Sequence, residues 1–133
     1  MKVVYAFSAK KTRKSRKPSN TNQHSVSFPK MVMEVIQLSD IVLEVLDARF
    51  IDKTRNLELE KEVARQKKKL IFILNKADLI DVNDLKMNYD MGSIQPYVLF
   101  SSKGKIGRSR LRTILNIESK KINFEPVRVG IIG

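Results

Sequence analysis

Predominantly apolar runs punctuate this chain four times, at Ile41–Leu46 (IVLEVL), Leu70–Asn75 (LIFILN), Tyr97–Phe100 (YVLF) and Val127–Ile132 (VRVGII). Short runs rich in β-branched residues, apolar on both faces, predict strands buried within a parallel sheet. Between them the period changes. FPKMVMEVIQ, from Phe28 to Gln37, reads as a helix with Pro29 in its first turn and Met31, Val32, Val35, Ile36 and Leu38 as an apolar stripe. Asn56 to Lys69 reads as a second, amphipathic helix, with Leu57, Leu59, Val63 and Ala64 inward and Glu58, Glu60, Glu62 and Arg65 in water. Lys67 to Lys69 would sit at its negative carboxyl end. Leu79–Asn88 suggests a short helix or turn, and Gly104–Ile117 a loop leading into a helix with Leu111, Ile114 and Leu115 on one side. Met1–Phe7 can form a short strand or pack loosely. Strands alternating with helices predict a three-layer α/β domain over residues 28–133, its mostly parallel sheet covered by helices on both faces. The last strand should lie beside Ile41–Leu46 and form an exposed edge, a site for self-association with a second chain.

Charge changes the picture at the amino terminus. The net charge of the 133 residues is +12, and the first thirty contain eight basic residues and no acid. Ser8–Ser25 is nearly free of apolar residues after Ala9, so it cannot bury enough surface to offset its conformational entropy. Residues 1–27 therefore read as a basic, largely flexible arm. Lys10, Lys11, Arg13, Lys14, Arg16 and Lys17 are candidates for RNA phosphate contacts. Cysteine is absent and His24 is the one histidine, which excludes disulfides and makes a thiolate or histidine metal site implausible. No apolar run approaches a membrane span and no signal peptide is evident, so no membrane partner is expected and the cytoplasm is the default location.

The strand at Leu70 runs straight into Asn75, Lys76, Ala77 and Asp78, at the end of a strand where open α/β sheets bind ligands. This is the asparagine-lysine-any-aspartate pattern that reads guanine in GTP-binding proteins. Guanine presents two adjacent donors, N1–H and the N2 amine, and the carboxylate of Asp78 can accept both. Adenine lacks that pair and would leave the carboxylate desolvated and unpaired. The stem of Lys76 can lie along the base with its ammonium in water. Asn75 can tie the loop to its neighbours or bond the base. The plainer reading is that Asn75 and Asp78 cap a turn and the following helix. One strand later come Ser101, Ser102 and Lys103. Asp47 and Arg49 end another strand, where a local salt bridge and a site role are equally supported.

In this order the pieces resemble the circularly permuted GTPases of the ribosome-assembly type. FPK, LDAR, NKAD, SSK and VRVGIIG follow one another as in that family, covering Phe28 to Gly133. The resemblance implies that Asn75, Lys76 and Asp78 recognise guanine with help from Ser101, Ser102 and Lys103. The amide of Ser102 would donate to guanine O6, and Lys103 would cover the ribose or the second base face. Gly133 would be the first glycine of the phosphate-binding loop. The rest of that loop, the magnesium-binding serine and both switch regions are not in this sequence. It therefore looks like the amino-terminal part of a GTP hydrolase, expected to be inactive alone and to bind GTP or GDP weakly if at all, with Mg2+ held only by the complete protein. Expected partners are a guanine nucleotide and rRNA or a ribosomal subunit. The alternative reading is a non-enzymatic RNA-binding module on an α/β scaffold, in which the basic arm does the work.

Overall fold

The computed structural model describes residues 2–5, 28–123 and 125–133. Five strands form one parallel sheet: β1 (Lys2–Tyr5), β2 (Ile41–Asp47), β3 (Lys69–Asn75), β4 (Tyr97–Leu99) and β5 (Arg128–Ile132), in spatial order β1-β5-β2-β3-β4. Helices cover both faces, as the alternating pattern predicts. On one face α5 (Arg108–Ser119) lays Leu111, Ile114 and Leu115 over Leu43, Ile71, Ile73, Val98 and Val129. On the other, Val32, Val35 and Ile36 of α1 (Phe28–Leu38) and Val63 of α3 (Leu57–Arg65) pack on Val42 and Ile132. The same face continues through α2 (Ile51–Thr54) and α4 (Val82–Asn88), where Ile51 and Leu85 meet Leu46, Phe72 and Leu74. Each of the fully buried side chains among these contributes about 1.5–3 kcal/mol by leaving water, and the half-buried Leu85, Leu111, Ile114 and Leu115 less.

Strand β5 lies beside β2, as expected, but it is not an edge. Residues Lys2 to Tyr5 pair with it in parallel, from Lys2↔Arg128 to Tyr5↔Ile131. Its backbone groups are thus taken on both sides, and the expected self-association through an exposed last strand is withdrawn. Lys2–Tyr5, counted above with the arm, belongs to the sheet. The RNA-contact candidates Lys10, Lys11, Arg13, Lys14, Arg16 and Lys17 lie outside the described residues.

The second helix is shorter than the pattern suggests. It stops at Arg65, Lys67 takes a left-handed φ of 54°, and Lys69 already belongs to β3. Met31, Leu38 and Leu57, read as inward, are exposed, and Ala64 faces solvent as well. Glu60, read as solvated, instead forms a half-buried fork-to-fork pair with Arg55 at 2.7 and 2.9 Å.

Candidate functional site

Because every strand points the same way, the carboxyl ends of β2, β3, β4 and β5 share one rim, which gathers residues far apart in sequence. Strand register sets Asp47 level with Asn75. The chain leaves β3 by a sharp turn in which Lys76 adopts a left-handed φ of 62°, followed by a 3-10 turn at Ala77–Leu79. The turn is tied down on both sides by backbone. The Ala48 amide donates to the Asn75 carbonyl at 2.8 Å, and the Ala77 amide donates to the Phe100 carbonyl at 3.0 Å. Asn75 thus links the loops through its carbonyl.

Asp78 and the turn after β4 touch. The buried hydroxyl of Ser101 donates to Asp78 Oδ1 and accepts from the Gly104 amide at 2.8 Å. Ser101 and Ile106 exchange backbone hydrogen bonds of 3.1 and 3.0 Å, which closes the turn. A Cβ on Gly104 would lie 3.1 Å from Asp78 Cβ, so the turn is drawn close against the aspartate. Oδ2 of Asp78 and the amides of Ser102 and Lys103 have no hydrogen-bond partner among the described residues. Ser102 and Lys103 stand exposed at the tip. The rim therefore carries, side by side, a carboxylate oriented by a hydroxyl and two free amide donors. Such a set is complementary to the donor pair and O6 acceptor of guanine.

Asp47 makes the local salt bridge expected of it and a second, longer-range one. It binds Arg49 through a guanidinium fork at 3.0 and 2.8 Å, and it also accepts from Lys76 Nζ at 3.0 Å. The Arg49 fork, reinforced by Lys76, holds its carboxyl well below the usual carboxylate range. Asp47 thereby anchors the ammonium of Lys76, whose side chain remains half exposed at the rim. The lysine and aspartate are 29 residues apart, and only the β2–β3 register could have announced the contact. The Ser101–Asp78 bond was missed for the same reason. Gly133 ends the rim beside β2, where a Cβ would lie 2.7 Å from the Val45 carbonyl oxygen.

A hydrogen-bond chain rooted in the buried Glu44 fixes the segment that leads into α3. Glu44, 2% exposed, accepts from the Asn56 amide at 3.0 Å through Oε1, while Oε2 has no partner among the described residues. Asn56 in turn caps α3, accepting from the Glu58 and Leu59 amides. Burial pushes the Glu44 carboxyl up to about 7; the Asn56 bond opposes this, Glu60 adds to it and Arg55 offsets it. The folded state therefore holds this proton more tightly than the unfolded chain. The stability it contributes is full below the unfolded value of 4.5 and is lost as pH rises through about 7. A difference of this size corresponds to about 3 kcal/mol. Glu44→Gln keeps the acceptor for Asn56 and removes the titration. In urea melts the variant should gain about 2–3 kcal/mol over the parent at pH 8 and much less at pH 5. An equal difference at the two pH values would show that Glu44 does not titrate in this window.

No family model matches the chain. Its sequence is 37% identical over 108 residues to an uncharacterized GTP-binding protein of Methanocaldococcus jannaschii, covering 81% of this chain and 29% of that protein. It is 40% identical over 83 residues to the nuclear GTP-binding protein NUG1 of Saccharomyces cerevisiae, covering 60% of this chain and 16% of the relative. The GTPase grn1 of Schizosaccharomyces pombe is 30% identical over 127 residues, covering 80% and 27%. The chain thus spans less than a third of the length of each of these relatives. With its parallel α/β sheet and these homologues, it is a relative of one part of GTP-binding proteins of the GTPase kind.

Proposed function

We propose that this chain supplies the guanine-reading part of a circularly permuted GTPase that assists ribosome assembly. The observation that carries the reading is the contact between the Asn75–Asp78 turn and the Ser101–Ile106 turn on one rim. Asp78 accepts the N1–H and N2 amine of the base, with Ser101 holding its carboxylate in place. The Ser102 amide donates to O6. Lys76, anchored by Asp47, lies along one face of the ring, and Lys103 covers the other or the ribose. Asn75 secures the turn through its carbonyl. The order of the pieces, with the base-reading turns ahead of the strand that ends at Gly133, supports the permuted arrangement. Gly133 is then the start of the loop that holds the phosphates. Hydrolysis and Mg2+ belong, in this reading, to the complete protein. The basic arm, with Lys10, Lys11, Arg13, Lys14, Arg16 and Lys17, contacts rRNA.

The test is a change of specificity. Xanthine presents an acceptor where guanine presents its N2 donor, so Asp78→Asn in the full-length protein should weaken GTP about 100-fold, through loss of charge-assisted hydrogen bonds, and improve binding of xanthosine triphosphate. Competition of the two nucleotides against a fluorescent GDP measures both. Unchanged selectivity would remove Asp78 from the base site.

A further inference from the structure

Helices α3 and α4 obey ordinary helix electrostatics. Asn56 caps α3, which has Glu58 and Glu60 in its first turn and Arg65 in its last. Asp81 caps α4, with Asp84 in the first turn and Lys86 in the last. Helix α5 inverts this pattern. Gly107 begins it without a side-chain cap, and its first turn has no acid. Instead Lys105 precedes it, and Arg108, Arg110 and Arg112 occupy its first half. Cations at a helix amino terminus are unfavourable, and so are like charges four residues apart, as Arg108 and Arg112 are.

Among the described residues no carboxylate pairs with these cations. All four side chains are exposed. Seven ion pairs connect cations to carboxylates among the described residues, and none of them includes Lys105, Arg108, Arg110 or Arg112. No acid occurs between Ser101 and Ile117. Leu111, Ile114 and Leu115 face the sheet, which leaves Ser109, Thr113 and Asn116 on the outer face, with Arg108 and Arg112 along one flank and Arg110 on the other. The surface is broad, polar, hydroxyl- and amide-bearing and free of negative charge. Guanidinium forks match phosphate oxygens bidentately, and hydroxyl and amide side chains add further donors to a phosphate-sugar backbone.

We infer that Lys105, Arg108, Arg110 and Arg112, on the exposed side of α5 and the turn before it, form a phosphate-backbone contact surface for RNA, separate from the amino-terminal arm. A nucleic-acid backbone is favoured over an acidic protein because four cations with no carboxylate between them, interleaved with the polar side chains of Ser109, Thr113 and Asn116, match a run of phosphates and sugars, while the exposed Ile106 and Ile117 stand apart from each other toward the two ends of the surface. The inference stands whether or not the rim reads guanine, since none of the four residues is assigned to the base.

The experiment uses the full-length protein and a fluorescein-labelled 20-nucleotide uridine RNA, with the triple variant Arg108→Gln, Arg110→Gln, Arg112→Gln. Glutamine keeps helix propensity, and removing the repulsion should leave the melting temperature equal or slightly higher. RNA affinity should fall at least about tenfold at 100 mM salt, and the slope of log affinity against log salt should become shallower by about 2, from roughly 0.7 per phosphate contact on a single strand. The single variant Arg112→Gln should make it shallower by about 0.7 and serves if the triple does not fold. Affinity within about twofold of the parent with an unchanged slope, while neutralising the six arm cations abolishes binding, would overturn the inference. So would equally tight binding of a 20-residue polyglutamate peptide, lost in parallel in the triple, which would mark the surface as one for acidic proteins. GDP binding measured on the same samples keeps a failure here distinct from a failure of the guanine reading.

Discussion

Gly107→Ala is expected to lower the stability of this domain by about 4 kcal/mol and to disable the rim at the same time. The residue adopts a φ of +86°, and a Cβ there would lie 2.1 Å from the carbonyl oxygen of Leu99 and 3.1 Å from Phe100 Cα. A left-handed backbone costs a non-glycine residue about 1–2 kcal/mol by itself. The overlap adds more, because the atoms struck are backbone of β4 and its exit and cannot swing aside as a side chain would. Relief requires the start of α5 to move off β4. That movement pulls on Ile106, whose hydrogen bonds to Ser101 close the turn, and so withdraws the Ser101 hydroxyl from Asp78. The melting temperature should fall by roughly 15 °C, in keeping with about 4 kcal/mol in a domain of this size. Guanine-nucleotide affinity of the full-length protein, measured below the new midpoint, should fall as well. A variant that melts within a few degrees of the parent would contradict the packing of α5 on β4.

Much of this fold is legible in the sequence, because a parallel sheet buried on both faces writes its strands as apolar runs. IVLEVL and LIFIL need no partner to be recognised. What periodicity cannot convey is where the backbone turns and which strand lies beside which. Lys67 and Lys68 continue the polar face of a helix equally well in sequence, yet a left-handed φ at Lys67 ends the helix and Lys69 opens a strand. Leu57 has the spacing of a core residue but stands at the first turn of α3, where no neighbouring element covers it. KVVY is too short to announce its place, and its pairing with β5 removed the expected edge. At the rim, the asparagine-lysine-aspartate triplet could be read directly, being local. The groups that orient it could not: Asp47 reaches Lys76 across 29 residues and Ser101 reaches Asp78 across 23. Glu44 lies in the middle of an apolar run that does not announce its partner, and the structure traces that partner to the amide that precedes α3.

Gly130→Val tests how closely α1 must approach the sheet, and it should be more damaging than Gly107→Ala. A glycine within a strand usually weakens it, unless another chain segment comes close. Here α1 does. Gly130 lies in the middle of β5, paired with Val42 on one side and Val4 on the other. A Cβ at this position would fall 2.1 Å from Ser39 Oγ, 2.8 Å from Val35 Cγ1 and 3.1 Å from Ser39 Cβ. Ser39 is fully buried, and its hydroxyl is already committed to the carbonyl of Val35, so it has no free volume to retreat into. Valine would add two further methyl groups to that overlap. Either α1 lifts, exposing Val32, Val35 and Ile36, or β5 bows out from between its two neighbours. Both routes give up several buried side chains at about 1.5–3 kcal/mol each, so a loss of about 5 kcal/mol is expected, at the lower end of the whole stability of a small domain. The variant should unfold at room temperature or appear as aggregate, by circular dichroism and by sedimentation. Removing the nearest obstacle distinguishes this cause from a general intolerance of β-branching: Ser39→Ala combined with Gly130→Ala should cost about 1–2 kcal/mol less than the sum of the two changes made singly. Strict additivity would mean that the helix does not rest on that glycine, and the placement of α1 over β5 would have to be redrawn.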